Sequence, residues 1–335
     1  MNDKLSTFTT SCWVSLLLAS LFCCLEVQAQ PVASSVPDGR AATTDRAANG
    51  VAAGTNNEPA VSGQAVISNA VTRTLEYRSI TARMRVRTDL MGQPLVGSGK
   101  YAQLGSSVGP LLRLELAIQA GEQATSVKQI ATVTDLWEHW RIGGKEKLNR
   151  IDLRRVQAAI KKAPGKALST STSSSLATGG LPKLLQQLNE NFDFAKKPVR
   201  SGSIGEVPVM AVRGVWRAEK LAAAAPNAVE GDTIFFEKLP LHLPHEVEVL
   251  IGKSDAFPYR VTYQQFQSVE GKHELKPVVT TEFFEVAVNQ PLDPSQFQFQ
   301  QPANISSTDR TDVFLQTLGL TPTEVARTPD ETQRK

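Results

Sequence analysis

Residues 80–87 read "ITARMRVR". Ile80, Ala82, Met84 and Val86 alternate with Thr81, Arg83, Arg85 and Arg87, the two-residue period of a strand with one buried and one wet face. The next stretch, "LVGSGKYAQLG" (95–105), reads as a second strand, in which Gly97 and Gly99 imply strong curvature or close approach of another backbone. "LLRLELAI" (111–118) alternates again, with Leu112, Leu114, Leu116 and Ile118 in register. "SVKQIATVTDLWEHWRI" (126–142) reads as one long bent strand or a hairpin. Strands resume at "VPVMAVRGVW" (207–216), "EVEVLIG" (246–252), "YRVTYQQF" (259–266) and "VVTTEFFEVAVN" (278–289). The turn signals between them predict an antiparallel meander.

Two helices interrupt the strands. "IDLRRVQAAIKK" (151–162) has Asp152 as its N-cap and Leu153, Val156 and Ile160 on one face. In "LPKLLQQLNENF" (181–192), Pro182 sits in the first turn, where its missing N–H costs nothing. Leu181, Leu184, Leu185, Leu188 and Phe192 form its apolar stripe. The Ser/Thr/Gly-rich "PGKALSTSTSSSLATGG" (164–180) between the two helices is expected to be a mobile linker. A closing helix, "TDVFLQTLG" (311–319), ends at Gly319. The expected fold is therefore α+β: a large curved antiparallel sheet, a half-open β-barrel, with helices covering or plugging its concave face. The 181–192 helix is the best internal candidate. Met84, Val86, Leu112, Leu114, Leu116, Leu184, Leu185, Leu188, Val249, Ile251 and Phe284 are the expected lining of that concave face.

The connector "NQPLDPSQFQFQQPAN" (289–304) follows the last long strand. Asp293-Pro294 breaks that strand, and Phe297 and Phe299 fall on one side of an extended segment, against the barrel rim, with the glutamines towards water. Core packing accounts for the two rings better than ligand contact does.

The chain has 335 residues and a formal net charge of +3, enough length for one large β-rich domain and too little basic excess for a nucleic-acid binder. Its start, "CWVSLLLASLFCCLEVQA" (12–29), reads as a secretory signal cleaved after Ala29. Cys12, Cys23 and Cys24 all lie inside it, so the mature chain has no disulfide or thiolate site. Lipid anchoring at Cys24 fits less well, because Phe22 stands where a lipobox wants a small residue. Residues 30–73 lack apolar periodicity and read as a flexible tether, 74–320 as the domain, and 321–335 as a flexible tail.

Catalytic constellations are not found. "HLPHE" (242–246) places three possible ligands in five residues, but Pro244 forbids the helix that would align them. "SGSIG" (201–205) has Ser201 where a nucleophile elbow needs glycine, and Gly99-Lys100 lacks the rest of a phosphate loop. No enzyme activity, metal or cofactor is expected. Arg150, Arg154, Arg155, Lys161 and Lys162 form a basic cluster with two readings, anionic head groups or the wet face of a helix.

Four stretches carry a resemblance: "ITARMRVR" with the glycine-bearing strand after it, "NRIDLRRVQAAI" (149–160), "LPHEVEVLIGKSDAFPYRVTY" (243–263) and "TTEFFEVAVNQPLDPSQFQFQQP" (280–302). Together they resemble the lipoprotein-carrier (LolA/LolB-like) superfamily of the bacterial envelope, and within it the planctomycete-type relatives. The resemblance spans about residues 74–320. It implies a half-open barrel lidded by helices, an apolar cavity for acyl chains, and a polar residue inside the cavity that holds the lid shut. No residue matches that last position by sequence, since Arg83, Arg85 and Arg87 fall on the outer face. The implied function is that of an exported, periplasmic or secreted, non-catalytic binder of lipid or an acylated protein. It would be monomeric, with transient membrane contact. The alternative is a structural or interaction module of the envelope whose barrel is filled by its own helix.

Overall fold

A computed structural model describes residues 61–90, 93–105, 109–120, 123–162, 172–240, 243–269 and 272–320. The expected signal, the first part of the tether and the tail lie outside the described residues.

The first described element is a helix, α1 (Gly63–Glu76), which buries Val66, Ile67, Ala70 and Thr74. Residues 63–73, read as tether from the sequence, are thus helical, and the described fold begins 17 residues before Ile80. Six strands follow in sequence order: β1 (Ser79–Leu90), β2 (Gln93–Leu104), β3 (Leu111–Ala120), β4 (Gln123–Ala131), β5 (Asp135–Ile142) and β6 (Lys145–Asp152). Each pairs antiparallel with the next. The stretch 126–142 is therefore a hairpin, β4 and β5, not a single bent strand. α2 (Leu153–Lys162) starts where the Asp152 carboxylate accepts from the backbone N–H groups of Arg154 and Arg155.

α3 (Thr172–Asn191) includes the second half of the expected linker, and Leu176 there is 3% exposed. It is two helical segments meeting at Gly180, whose φ of 69° and ψ of −161° suit glycine alone. Pro182 then lies in the first turn of the second segment. Next come β7 (Phe192–Asp193), β8 (Arg200–Ile204), β9 (Val207–Trp216), α4 (Ala218–Ala224) and a two-stranded ribbon of β10 (Val229–Glu230) and β11 (Thr233–Ile234). β12 (Glu246–Gly252), β13 (Pro258–Val269) and β14 (Lys272–Val288) complete the meander, and β15 (Ser307–Asp309) and α5 (Thr311–Thr317) end the described chain.

One 13-stranded sheet results, in the order β15-β6-β5-β4-β3-β2-β1-β14-β13-β12-β9-β7, with β8 paired to β9. Every pairing is antiparallel except that of β15 with β6. The fold is thus the α+β architecture expected: a large, mostly antiparallel sheet, not closed, with helices on its apolar face. The seam between its two meanders is β1 against β14, Met84 opposite Phe283.

The inner face and the helices share one core, which includes Ile80, Met84, Leu114, Leu136, Leu185, Val249 and Phe257. Gln64 on α1 ties the helical layer together: its side chain bonds that of Asn189, and its Oε1 accepts from Arg217 Nη2 at 3.2 Å.

The outer face is crossed by the connector 289–306. Asp293 caps a single 3-10 turn, Pro294–Phe297, so the segment is not extended throughout. Phe297 is 1% exposed, and Arg113 Nη1 donates to the Gln296 carbonyl at 2.7 Å. Phe299 stacks on Trp137 with ring centroids 4.8 Å apart and planes 7° apart. Ile130 faces outward by its pairing with Arg113 and Trp137, yet it is fully buried because this strap passes over it. Both connector phenylalanines are packing residues, on the outer face.

Candidate functional site

Ten of the eleven expected lining residues belong to the inner core. Met84, Val86, Leu112, Leu114 and Leu116 are between 3% and 7% exposed, Leu184, Leu185 and Leu188 at most 3%, and Val249 and Ile251 0%. Strands β1, β3 and β12 supply one wall and α3 the other. Phe284 is the exception. It points outward, under the Arg85 guanidinium at 5.8 Å, and Phe283 takes the inner position. Counting back by twos from Val288, the partner of Ile80, puts Phe284 inside; a bulge between the Thr81 and Arg83 pairings, with Glu285 at φ 50°, reverses the parity.

A buried polar contact fastens α3 to the wall. Tyr101 on β2, 2% exposed, accepts from the backbone N–H of Leu181 at 3.1 Å and donates to Gln103 Oε1 at 2.6 Å. Gln103 in turn donates to the Gly105 carbonyl at 3.1 Å. Burial pushes the Tyr101 phenol far above its ordinary range, so it keeps its proton and serves as donor and acceptor at once. A Cβ on Gly180 would lie 2.2 Å from Gln103 Oε1 and 2.8 Å from the Tyr101 hydroxyl, so glycine is what lets the helix start reach the wall. Sequence reading took Tyr101 only as part of a strand. Its place two residues after Gly99, on the same face, was the signal available.

A second polar island lies on the same face. Gln129, Glu138 and Asn149 stand side by side on β4, β5 and β6. Glu138, 6% exposed, accepts from Gln129 Nε2 at 2.8 Å and Asn149 Nδ2 at 3.4 Å. Each amide offsets part of the cost of burying that carboxylate.

The other sequence candidates lie outside the inner core. Arg150 lies on β6, paired with Asp135 at 2.7 Å, and Arg155 on α2 bonds Asp312 of α5 at 2.6 Å. Lys161 and Lys162 are exposed at the end of α2. His242 lies outside the described residues. His245 is buried, with Nδ1 accepting from the Phe266 backbone N–H at 2.7 Å and its ring near those of Phe236 and Phe266. No group of three metal-ligand side chains occurs among the described residues.

That hydrogen bond requires a neutral ring. Burial lowers the His245 pKa below the ordinary 6.5, against the opposing pull of the Glu246 carboxylate. The folded state therefore binds fewer protons than the unfolded one. The stability due to the neutral ring is full above 6.5 and is lost as pH falls below it. Urea unfolding should show stability falling as pH drops through the mildly acidic range. His245→Asn, which keeps an acceptor in the Nδ1 place, should flatten that slope; an unchanged slope would locate the titration elsewhere.

No helix among the described residues is long and apolar enough to cross a membrane. No family model and no curated protein matches the chain. It is similar to several solved structures. One is a putative outer membrane lipoprotein-sorting protein domain from Vibrio parahaemolyticus, at 9% identity and TM-score 0.29, covering 70% of this chain and 95% of that one. Another is a DUF1329 family protein from Desulfovibrio piger, at 8% identity and TM-score 0.31, with the same coverages of 70% and 95%. A third is MucB in complex with MucA(peri), at 11% identity and TM-score 0.29, covering 70% of this chain and 60% of that one.

Proposed function

We propose that this chain is an exported, non-catalytic binding protein that takes an acyl chain, of a lipid or an acylated protein, between the inner face of the sheet and α3. One observation carries the reading. A leucine-striped helix lies on an aliphatic wall, jointed at Gly180 and fastened there by a single buried hydroxyl. Displacing it exposes Leu181, Leu184, Leu185 and Leu188, and an acyl chain can replace their contacts. Each methylene buried contributes ~0.8 kcal/mol, so about ten offset the opening and ordering costs with a surplus.

Tyr101→Phe tests it, because it removes the hydroxyl and keeps the ring. Loss of one buried hydrogen bond should lower stability by ~1 kcal/mol. Amide exchange over residues 181–188 should speed up, and uptake of a fluorescent fatty acid should quicken severalfold. The competing reading, a barrel filled by its own helix, rests on the same four leucines being almost wholly buried. It predicts no uptake by either protein and no lipid in organic extracts of the purified chain, and that pair of results would sink the proposal.

A further inference from the structure

A sizeable hollow lies away from the inner core. On the outer face of β1–β5 is a groove of about 740 Å³, within the usual size range of small-molecule sites. A second hollow of about 480 Å³ adjoins it and shares Arg83, Lys100 and Glu115.

Strand register explains its shape. Ser98, Ala117 and Ser126 stand side by side on β2, β3 and β4, and make a floor of short side chains. The neighbouring row is tall and charged: Arg83, Lys100, Glu115 and Lys128 on β1 to β4. Arg141 continues the floor row onto β5. Phe284 and Phe299 also line the groove, and the Trp137 stack fixes the second ring.

Its charge is unbalanced. Arg113 holds the Glu115 carboxylate at 2.6 Å, and Lys128 reaches it only at 4.0 Å. Arg83 has Glu285 at 3.4 Å across an exposed gap, and Arg141 shares Glu146 with His139. Lys100 has no ion pair among the described residues. Cations held around a floor of small residues concentrate positive potential there.

We infer that this groove is a binding site for a small organic anion, a phosphate or carboxylate carried on an apolar or aromatic body. The anionic group sits on Lys100, Arg83 and Lys128, and the body lies against Phe284 and Phe299. A bilayer surface meets the taller charged row first, whereas the floor of short side chains lies below the reach of a flat sheet of head groups. The site is independent of the inner core and stands or falls separately from acyl-chain binding.

Titration with 1-naphthyl phosphate, followed by its own fluorescence, tests the inference on the full mature chain. Saturable binding that weakens with added salt is expected, with 1-naphthol as the neutral control binding far more weakly. Lys100→Glu should cost at least tenfold in affinity and Lys100→Gln several-fold, with unchanged thermal melts because Lys100 is exposed. Absence of saturable binding to the wild-type chain overturns the inference, as does binding that both Lys100 variants retain. Association confined to phosphatidylglycerol vesicles, with none to the soluble probe, also overturns it and makes the face a membrane-contact surface.

Discussion

Gly99→Val should lower the melting temperature by roughly ten degrees, a loss of ~4 kcal/mol for a domain of this size. A Cβ at Gly99 would stand 1.9 Å from the Glu115 carbonyl oxygen and 3.0 Å from the Leu116 Cα. Both atoms are backbone, so no side chain can swing aside, and β2 and β3 must part or slide. The neighbouring Gly97 is less tight, its built Cβ 2.9 Å from Ile118 Cγ1, a side-chain atom. Gly202 on β8 is the control, with nothing within 4 Å of its built Cβ. Gly202→Val should change the melt by no more than a degree or two. If the two variants melt alike, the close approach of β2 to β3 is wrong, and with it the curvature that lets α3 fill the inner face.

Leu185→Asp should leave little folded protein. Leu185 is 0% exposed in the middle of the α3 stripe, and an aspartate there buries a charge among aliphatic groups with no partner. Truncation to alanine costs ~2–5 kcal/mol at such a site. The charge adds several more, enough to exhaust the stability of an ordinary domain. Phe284→Asp is the informative companion, since sequence parity put Phe284 on the same inner face. With its ring outward, that variant should unfold within ~1 kcal/mol of wild type. Urea unfolding of the two variants reads the register of β14 directly: equal damage would return Phe284 to the core.

Alternation and stripe were legible because each is a local pattern. Ile80 to Val86, Leu112 to Ile118 and Leu181 to Leu188 each repeat one period without interruption, and each is buried as that period predicts. The Asp152 cap was legible for the same reason. What was missed depended on partners far along the chain. α1 shows no long apolar stripe; its buried side chains are Val66, Ile67, Ala70 and Thr74. Its helix is held by docking on α3 and by Gln64 rather than by propensity. Two adjacent phenylalanines cannot reveal which faces inward when a bulge lies between them and the reference strand. Gln129, Glu138 and Asn149 look unremarkable one at a time; their meeting is a product of register. The anion groove has the same origin. Lys100 and Lys128 are 28 positions apart and become neighbours only across β3.

The seam has a consequence for the newborn chain. β1 and β14 pair at residues as distant as Ile80 and Val288, whereas β1 through β6 and β12 through β14 pair with their immediate successors. Each meander can assemble as soon as it is made. The join waits until nearly the whole domain has been synthesised, and closing so long a loop is slow. In the interval β1 shows an unpaired backbone edge with Ile80, Met84 and Val86 beside it. Such an edge readily recruits a strand from another copy. Arg83, Arg85 and Arg87, whose charges repel a second chain of the same sequence, stand along that edge during the interval when it is bare.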